Sequence, residues 1–302
     1  MKQIVEKLKQ LNLTTANEED IVSIMLKAGR GGGIITDYHP AYTENDVPNF
    51  FVRASNYNSN KEQIISTDRL SYPPLKFNEK YQRASTPQKP MFYAVRYQSI
   101  YEKDSFSAIK TCLLETIVDY EEMVSPGSRV AISLRYNMFP IKLYSIFNWQ
   151  EFQDSNPQYK EVVAAFIEAI NERSESEKED TKIFLNYLSE IFCLPVGVDQ
   201  NLYKPSAIIT QYLIDKMINL NIEIDGIVFP STKVKGKELN VALIPAKSDQ
   251  KLVVAKVLDG VYKPNRKVEI QRIAEIKYGS KDVNFNEIKQ FEIDLIEKNS
   301  KS

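Results

Sequence analysis

Apolar residues recur with helical spacing in the first part of the chain and again through its middle. Segments 3–11 and 18–27 follow this spacing, and Asn17 before the second segment predicts an N-cap with Asp20 in the first turn. The same spacing predicts helices over 105–120, 159–170, 180–192 and 206–220. The charged run 171–180 between two of these helices predicts a solvated linker.

Two short apolar runs near residue 230 predict buried β-strands. Residues 227–229 form the centre of the first run and residues 241–244 form the second. The polar stretch 230–237 between them predicts a loop, so Ser231 is expected at the mouth of a strand. A serine there either satisfies backbone groups or holds a hydroxyl toward a ligand, and the first role is the commoner one. Further apolar or alternating runs predict strands at 49–55, 91–95, 129–136, 251–258 and 267–276.

Composition and charge remove several classes of function. The 302 residues include 39 Lys and Arg against 40 Asp and Glu, so the formal net charge is −1 and no nucleic-acid partner is expected. The single histidine, His39, lies in a turn sequence, and no G-x-S-x-G turn accompanies it. A Ser-His-Asp hydrolase and a histidine-rich metal site are therefore excluded. Chemistry is expected to use carboxylates, arginines and hydroxyls.

Cysteine use and the N-terminal residues bear on the compartment. Cys112 and Cys193 are far apart and each has apolar neighbours in sequence, which predicts two buried free thiols in a reducing compartment. Residues 1–11 carry charges throughout, and no apolar run approaches the roughly 20 residues that cross a bilayer. The expectation is a cytoplasmic protein without a membrane partner. The glycine-rich stretch 29–33 fits neither common phosphate-loop pattern and is predicted to be a flexible connection.

Four positions in order resemble one family. Arg53 lies in a predicted strand, Arg83 and Tyr93 lie in YQRASTPQKPMFYAV, Glu115 lies in AIKTCLLETI, and Ser231 lies in IDGIVFPS followed by ELNVALIPA. Together these blocks resemble the RES domain, which is named for its Arg, Glu and Ser. The last block is the most specific, because it combines an acidic residue, glycine, an aliphatic run, an aromatic residue, proline and serine.

The resemblance covers about residues 50–245, and it has departures. The chain has Ala84-Ser85-Thr86-Pro87 where the family often has an aromatic residue or alanine followed by Asn-Pro. The gap between Tyr93 and Glu115 is longer than usual, so Glu102 is the alternative candidate for the family glutamate. The expected organisation is an N-terminal helical segment over 1–45 and a RES-like catalytic domain over 46–250, with a helical insertion at about 150–205. C-terminal strands and a tail over 251–302 complete it.

The resemblance implies a fold and an activity. The implied fold is α/β (α+β), a compact mixed β-sheet core like that of ADP-ribosyltransferases, flanked by helices. The implied activity is cleavage of the nicotinamide–ribose bond of NAD by a glycohydrolase or phosphorylase, with NAD as substrate and with neither a cofactor nor a metal. RES proteins are toxins of toxin–antitoxin systems and are usually held by a partner antitoxin. The alternatives are transfer of ADP-ribose to a protein target and a catalytically inactive RES-fold binding module.

The residue types suit these roles. Nicotinamide leaves as a neutral base, so the main need is a carboxylate that stabilises the oxocarbenium-like transition state, and Glu115 is expected to supply it. Arg53 and Arg83 are expected to hold the pyrophosphate, and Tyr93 to stack on nicotinamide or bind a ribose. Ser231 is expected to orient a hydroxyl or phosphate. Strand alternation would point the neighbouring Thr232 to the opposite face.

Overall fold

The structure, a computed structural model, describes residues 1–27, 34–40, 49–98, 105–117, 123–147, 157–194, 200–234 and 238–296. The expected α/β (α+β) class is confirmed, because helices combine with strands that pair in both parallel and antiparallel directions. The glycine-rich stretch 29–33 and the alternative glutamate Glu102 lie outside the described residues.

The described residues form seven α-helices and ten β-strands. The helices are α1 Lys2–Lys9, α2 Glu18–Leu26, α3 Ser105–Thr116, α4 Pro157–Asn171, α5 Glu175–Cys193, α6 Lys204–Asn219 and α7 Pro245–Lys251. The strands are β1 Ile34–Tyr38, β2 Asn49–Asn58, β3 Phe92–Gln98, β4 Ser128–Asn137, β5 Ile141–Ser145, β6 Gly226–Pro230, β7 Leu239–Leu243, β8 Leu252–Lys263, β9 Lys267–Glu275 and β10 Asn286–Asp294.

Helix starts follow the capping chemistry of the sequence. Asn17 caps α2 as predicted, since its side chain accepts from the Asp20 N–H at 2.9 Å and the Asp20 carboxylate accepts from the Asn17 N–H at 2.9 Å. The prediction of a linker over 171–180 is wrong for most of this run, because α4 ends at Asn171 and α5 begins at Glu175. Ser174 and Glu177 form the same reciprocal capping box, so α5 begins at Glu175 inside the charged run.

The chain packs into two units. Unit 1 comprises Met1–Tyr38, Tyr72–Tyr93 and Pro140–Ser248, and unit 2 comprises His39–Ser71, Ala94–Phe139 and Asp249–Ser302. Both units therefore draw on more than one of the three segments expected from the sequence. The strands of unit 1 run in the order β1-β5-β6-β7, with β5 and β6 parallel and the outer pairs antiparallel. Its core includes the aromatic side chains Phe147, Phe166, Phe184, Phe192 and Phe229.

The Asp225-Gly226 pair fixes the start of β6 in unit 1. The carboxylate of the fully buried Asp225 accepts from the Lys142 N–H at 2.8 Å, and the Asp225 N–H donates to the Lys142 carbonyl at 2.8 Å. A Cβ on Gly226 would overlap the carbonyl oxygen of Ala242 on β7 and lie 2.8 Å from the Leu243 Cα. The acidic-Gly part of the most specific motif thus has a structural role, because it anchors β6 between β5 and β7.

The sheet of unit 2 has the strand order β3-β2-β4-β8-β9-β10, and every pairing among its described residues is antiparallel. One face of β2, with Val52 and Ala54, packs against α3 through Ile109 and Leu113. The other face carries a cluster made by Tyr57, Ala131, Val257 and by Leu70 of the 3₁₀ helix Thr67–Leu70. Because side chains alternate along a strand, Arg53 of β2 belongs to this second face.

The prediction of two buried thiols is half correct. Cys112 on α3 is buried, but Cys193 is exposed because it is the last residue of α5 and the inward positions there belong to Ile191 and Phe192. None of the helices in the described parts of the chain is long and apolar enough to span a bilayer.

Candidate functional site

The five predicted site residues are divided between the two units. Arg83, Tyr93 and Ser231 belong to unit 1, whereas Arg53 and Glu115 belong to unit 2.

Arg83 lies in the bend before β3 and holds the C-terminal end of α5. Its guanidinium donates to the carbonyl of Phe192 and, at 3.2 Å, to the carbonyl of Leu194, which caps this helix. A cation at this position satisfies carbonyls that have no partner within the helix and faces the negative end of the helix dipole. The ring of Tyr203 covers the guanidinium, with the Arg83 Cζ 5.2 Å from the ring centroid.

Tyr93 fastens the bend that carries Arg83. Its hydroxyl accepts from the Ala84 N–H at 2.9 Å and shares a 2.9 Å hydrogen bond with the Ser85 hydroxyl. Burial raises the pKa of Tyr93 to about 12, so the phenol stays neutral and keeps its donor over the physiological range. The position predicted to stack on nicotinamide therefore also fixes the conformation of residues 84–85.

Ser231 directly follows β6, as its sequence predicted, but its side chain is fully buried. Its N–H donates to the Glu238 carbonyl at 2.9 Å, and its hydroxyl accepts from the Lys233 N–H at 3.3 Å, which is the geometry of a serine turn. The expected orientation of Thr232 depended on a strand pleat that continues through it, and this condition is not met. The Thr232 hydroxyl accepts from the Arg83 guanidinium at 3.4 Å, because the strand pleat ends at Pro230 and the chain turns there.

Arg53 and Glu115 of unit 2 both act on one buried thiol. The Cys112 thiol donates to the Val52 carbonyl at 3.2 Å and accepts from the Ala54 N–H at 3.0 Å, so it lies against the backbone beside Arg53. Burial raises the pKa of Cys112 to about 12, the charge of Arg53 opposes this rise, and the charge of Glu115 adds to it. Both charges thus lie within electrostatic reach of the thiol, and Glu115 itself is half-buried.

Two neighbours of the predicted residues were missed from the sequence. Tyr203 covers Arg83 in unit 1, and Arg135 on β4 is the charged neighbour of Arg53 in unit 2. The alternating pattern along 129–136 predicts that Arg135 shares a strand face with Ser133. Its proximity to Arg53 also needs the β2–β4 register, which no local pattern specifies.

The two groups have different chemical capacities. In unit 1, Arg83, Thr232 and the Tyr203 ring offer a planar cation, a hydroxyl and an aromatic face, which suit a phosphate or ribose. In unit 2, Arg53 and Glu115 offer a cation and a half-buried carboxylate. No group of three or more His, Cys, Asp or Glu side chains arranged for a metal ion occurs in the described residues.

Comparison with known proteins adds no relative: no profile of a known protein family matches the chain, and no curated protein matches it significantly.

Proposed function

We propose that the chain is a RES-type enzyme that cleaves the nicotinamide–ribose bond of NAD. The observation that carries the proposal is the half-buried carboxylate of Glu115, held near the C-terminal end of α3, the helix that packs on β2 in unit 2. A carboxylate stabilises the positive charge that develops on the ribose, and arginine guanidiniums are suited to bind the phosphates of the same substrate. The order of Arg53, Arg83, Glu115 and Ser231 along the chain supports the same reaction, because it resembles the order in RES domains.

The reaction needs little proton transfer at the leaving group. The pyridinium nitrogen takes the bonding electron pair and leaves as neutral nicotinamide, so the ribose C1′ becomes cationic in character. Glu115 faces this charge in the proposal. Water or inorganic phosphate then forms the new bond to C1′, and the proton of the attacking water passes to solvent. The products are nicotinamide with ADP-ribose, or nicotinamide with a phosphorylated ADP-ribose.

The proposed function also implies a cellular compartment and a protein partner. NAD is abundant inside cells, so we place the activity in the cytoplasm, where uncontrolled cleavage would be toxic. A protein antitoxin that covers the site is the partner that such an activity requires.

A binding module without catalysis is the second candidate. It is favoured by Arg83, whose guanidinium contacts the carbonyls of Phe192 and Leu194 and the hydroxyl of Thr232. An arginine used to hold a helix end explains its presence without a nucleotide. In this candidate the fold is a scaffold and NAD survives intact.

Incubation with NAD, with and without phosphate, separates the candidates by the masses of the products. Free ADP-ribose identifies hydrolysis, and a product heavier by one phosphate identifies phosphorolysis. If the ADP-ribose part of NAD is labelled, label that remains on a protein identifies ADP-ribose transfer. Intact NAD in both incubations would contradict the proposed enzyme and favour the binding module.

A further inference from the structure

A cavity of about 580 Å³ lies between α2, α6 and the bend before β3, all within unit 1. This volume falls in the range of roughly 300–1,000 Å³ that is typical of small-molecule pockets. Apolar side chains from both helices form much of the wall, including Val22, Leu26, Ile208 and Tyr212. The cavity contains none of the five predicted site residues, and α2 precedes the part of the chain that resembles a RES domain.

Gln211 of α6 brings a hydrogen-bond acceptor to this cavity. The residue is only 8% exposed, and its amide nitrogen donates to the Ala84 carbonyl at 2.7 Å. A carbonyl can only accept, so this bond fixes which end of the Gln211 amide carries the oxygen. Among the described residues, no group donates to Gln211 Oε1. Water in the cavity can donate to this atom, and the N–H of a ligand can take the place of that water.

Thr86 brings a second polar group to the same cavity. The residue is 4% exposed, and its backbone carbonyl accepts from the Asn78 side chain at 2.6 Å and from the Lys89 N–H at 3.1 Å. Its hydroxyl has no hydrogen-bond partner in the parts of the chain that the structure describes. The backbone contacts therefore hold Thr86 in place, and the hydroxyl remains able to donate to a ligand.

The charged side chains that line the cavity balance one another. Glu18 and Asp215 are acidic, and Lys89 and Lys216 are basic. The Asp215 carboxylate is paired with the Lys89 ammonium at 2.7 Å, and the Glu18 carboxylate accepts from the Tyr81 hydroxyl at 3.1 Å. The formal charges of the four lining residues sum to zero, so the cavity favours an uncharged ligand over an ion.

We propose that this cavity binds an uncharged small molecule that combines a compact apolar body with an amide group. The amide N–H donates to Gln211 Oε1, the amide carbonyl accepts from the Thr86 hydroxyl, and the apolar body packs against Val22 and Ile208. The site is independent of the proposed cleavage of NAD, because the two share no residue.

Adamantane carboxamide is a suitable probe, because it carries both amide groups and its globular body does not imitate planar nicotinamide. Titration followed by the backbone amide chemical shifts of the labelled protein gives both the affinity and the location of binding. The methyl ester of the same acid lacks the N–H, so we expect it to bind roughly 3- to 10-fold more weakly. The corresponding carboxylate carries a charge and should bind more weakly still.

Two variants and a control test the assigned contacts. Thr86→Val keeps the side-chain shape and removes the hydroxyl, so the carboxamide and the ester should both bind roughly 3- to 10-fold more weakly. Val22→Phe places a larger side chain in the cavity and should remove most of the binding. Ile167→Phe makes a similar change at an exposed position of α4 outside the cavity, and it should bind the carboxamide as the wild type does.

The outcomes separate this site from the proposed reaction, since no titration contains NAD. Shifts at residues around the cavity, with the carboxamide preferred over the ester, support the site even where NAD stays intact in the enzyme assay. Equal affinities for carboxamide and ester, no binding of any of the three probes, or binding that survives Val22→Phe would each overturn it. If a variant does not fold, the wild type decides, because shifts confined to residues away from the cavity also refute the site.

Discussion

Glu115 is the residue on which the proposed chemistry depends most. It is half-buried near the C-terminal end of α3, and its charge reaches the Cys112 thiol. We expect Glu115→Gln to lower NAD consumption by about 100-fold or more, because the substitution keeps the shape of the side chain and removes the charge that faces the developing cation. Nicotinamide release measures the effect. Near-normal turnover in Glu115→Gln together with its loss in Glu102→Gln would move the family glutamate to residue 102.

Arg83 should influence stability as well as substrate binding. Arg83→Lys loses the fork that spans the Phe192 and Leu194 carbonyls, at a cost of about 1 kcal/mol in the free energy of unfolding. If Arg83 also holds a phosphate, the KM for NAD rises as well. Denaturant unfolding and steady-state kinetics separate the two effects. A stability loss with an unchanged KM assigns Arg83 to the helix end alone, and unchanged values in both assays contradict both roles.

Ser231 is fully buried in a serine turn, and the neighbouring Thr232 contacts Arg83. Ser231→Ala removes a buried turn contact, so we expect a partial loss of activity, on the order of 10-fold, and no covalent adduct on the wild type. Thr232→Val keeps the side-chain shape and removes the hydroxyl that accepts from Arg83, and it should raise the KM. Intact-protein mass spectrometry after brief exposure to NAD is the check. An ADP-ribosyl adduct that disappears in Ser231→Ala would make Ser231 a nucleophile.

At the scale of elements, the close approach of β6 and β7 gives a stability prediction. Gly226→Ala places a Cβ against the backbone of Ala242 and Leu243, which cannot move aside as a flexible side chain can. We expect the free energy of unfolding to fall by about 1–3 kcal/mol or more. The control is Gly279→Ala, which has φ of +80° but open space around its Cβ, so only backbone strain acts. Equal losses in the two variants would refute the steric account.

The elements that the sequence predicted have capping residues or apolar runs within the element itself, whereas the missed elements depend on pairing with distant strands. The helices α2 and α6 and the strands β6 and β7 were predicted because capping residues and unbroken apolar runs lie within each segment. β10, in contrast, has mostly exposed side chains, and its pairing with β9 defines it. β1 and β5 are five residues each and pair across a long stretch of chain. Short strands of this kind are specified by distant partners.

The spatial arrangement of the predicted site residues could not be predicted from local sequence patterns either. Arg53, Arg83, Tyr93, Glu115 and Ser231 were chosen by their order along the chain, and order cannot show which unit holds each side chain. The burial of Ser231 and the contact of Thr232 with Arg83 depend on a turn after Pro230. The position of Arg135 near Arg53 follows only from the β2–β4 register.

At the scale of the whole molecule, buried tyrosines predict a loss of stability in alkali. Burial raises the pKa of Tyr93 to about 12, and it raises the pKa of Tyr144 and Tyr187 as well. The unfolded chain loses these protons near pH 10, whereas the folded chain keeps them. Stability is therefore complete below about pH 10 and falls as the pH rises from there through the folded pKa values.

Denaturant unfolding between about pH 8 and 11, read beside tyrosinate absorbance, measures this loss. Tyr93→Phe should flatten the alkaline slope, while the exposed Tyr278→Phe serves as the matched control. A stability that stays level up to pH 11, with all tyrosines titrating near pH 10, would contradict the prediction.

Unit 2 is assembled from three stretches of chain, so its sheet can be completed only after the last stretch has been synthesised. β2 and β4 are both synthesised once Asn137 has been added, but β8, which pairs with the other edge of β4, begins more than a hundred residues later, at Leu252. At roughly 5–20 residues per second, a ribosome needs several seconds to deliver it. During that interval β4 presents an open edge, which invites pairing with other chains or chaperones. The sheet that carries Arg53 can therefore be completed only after the residues from Leu252 onward have emerged.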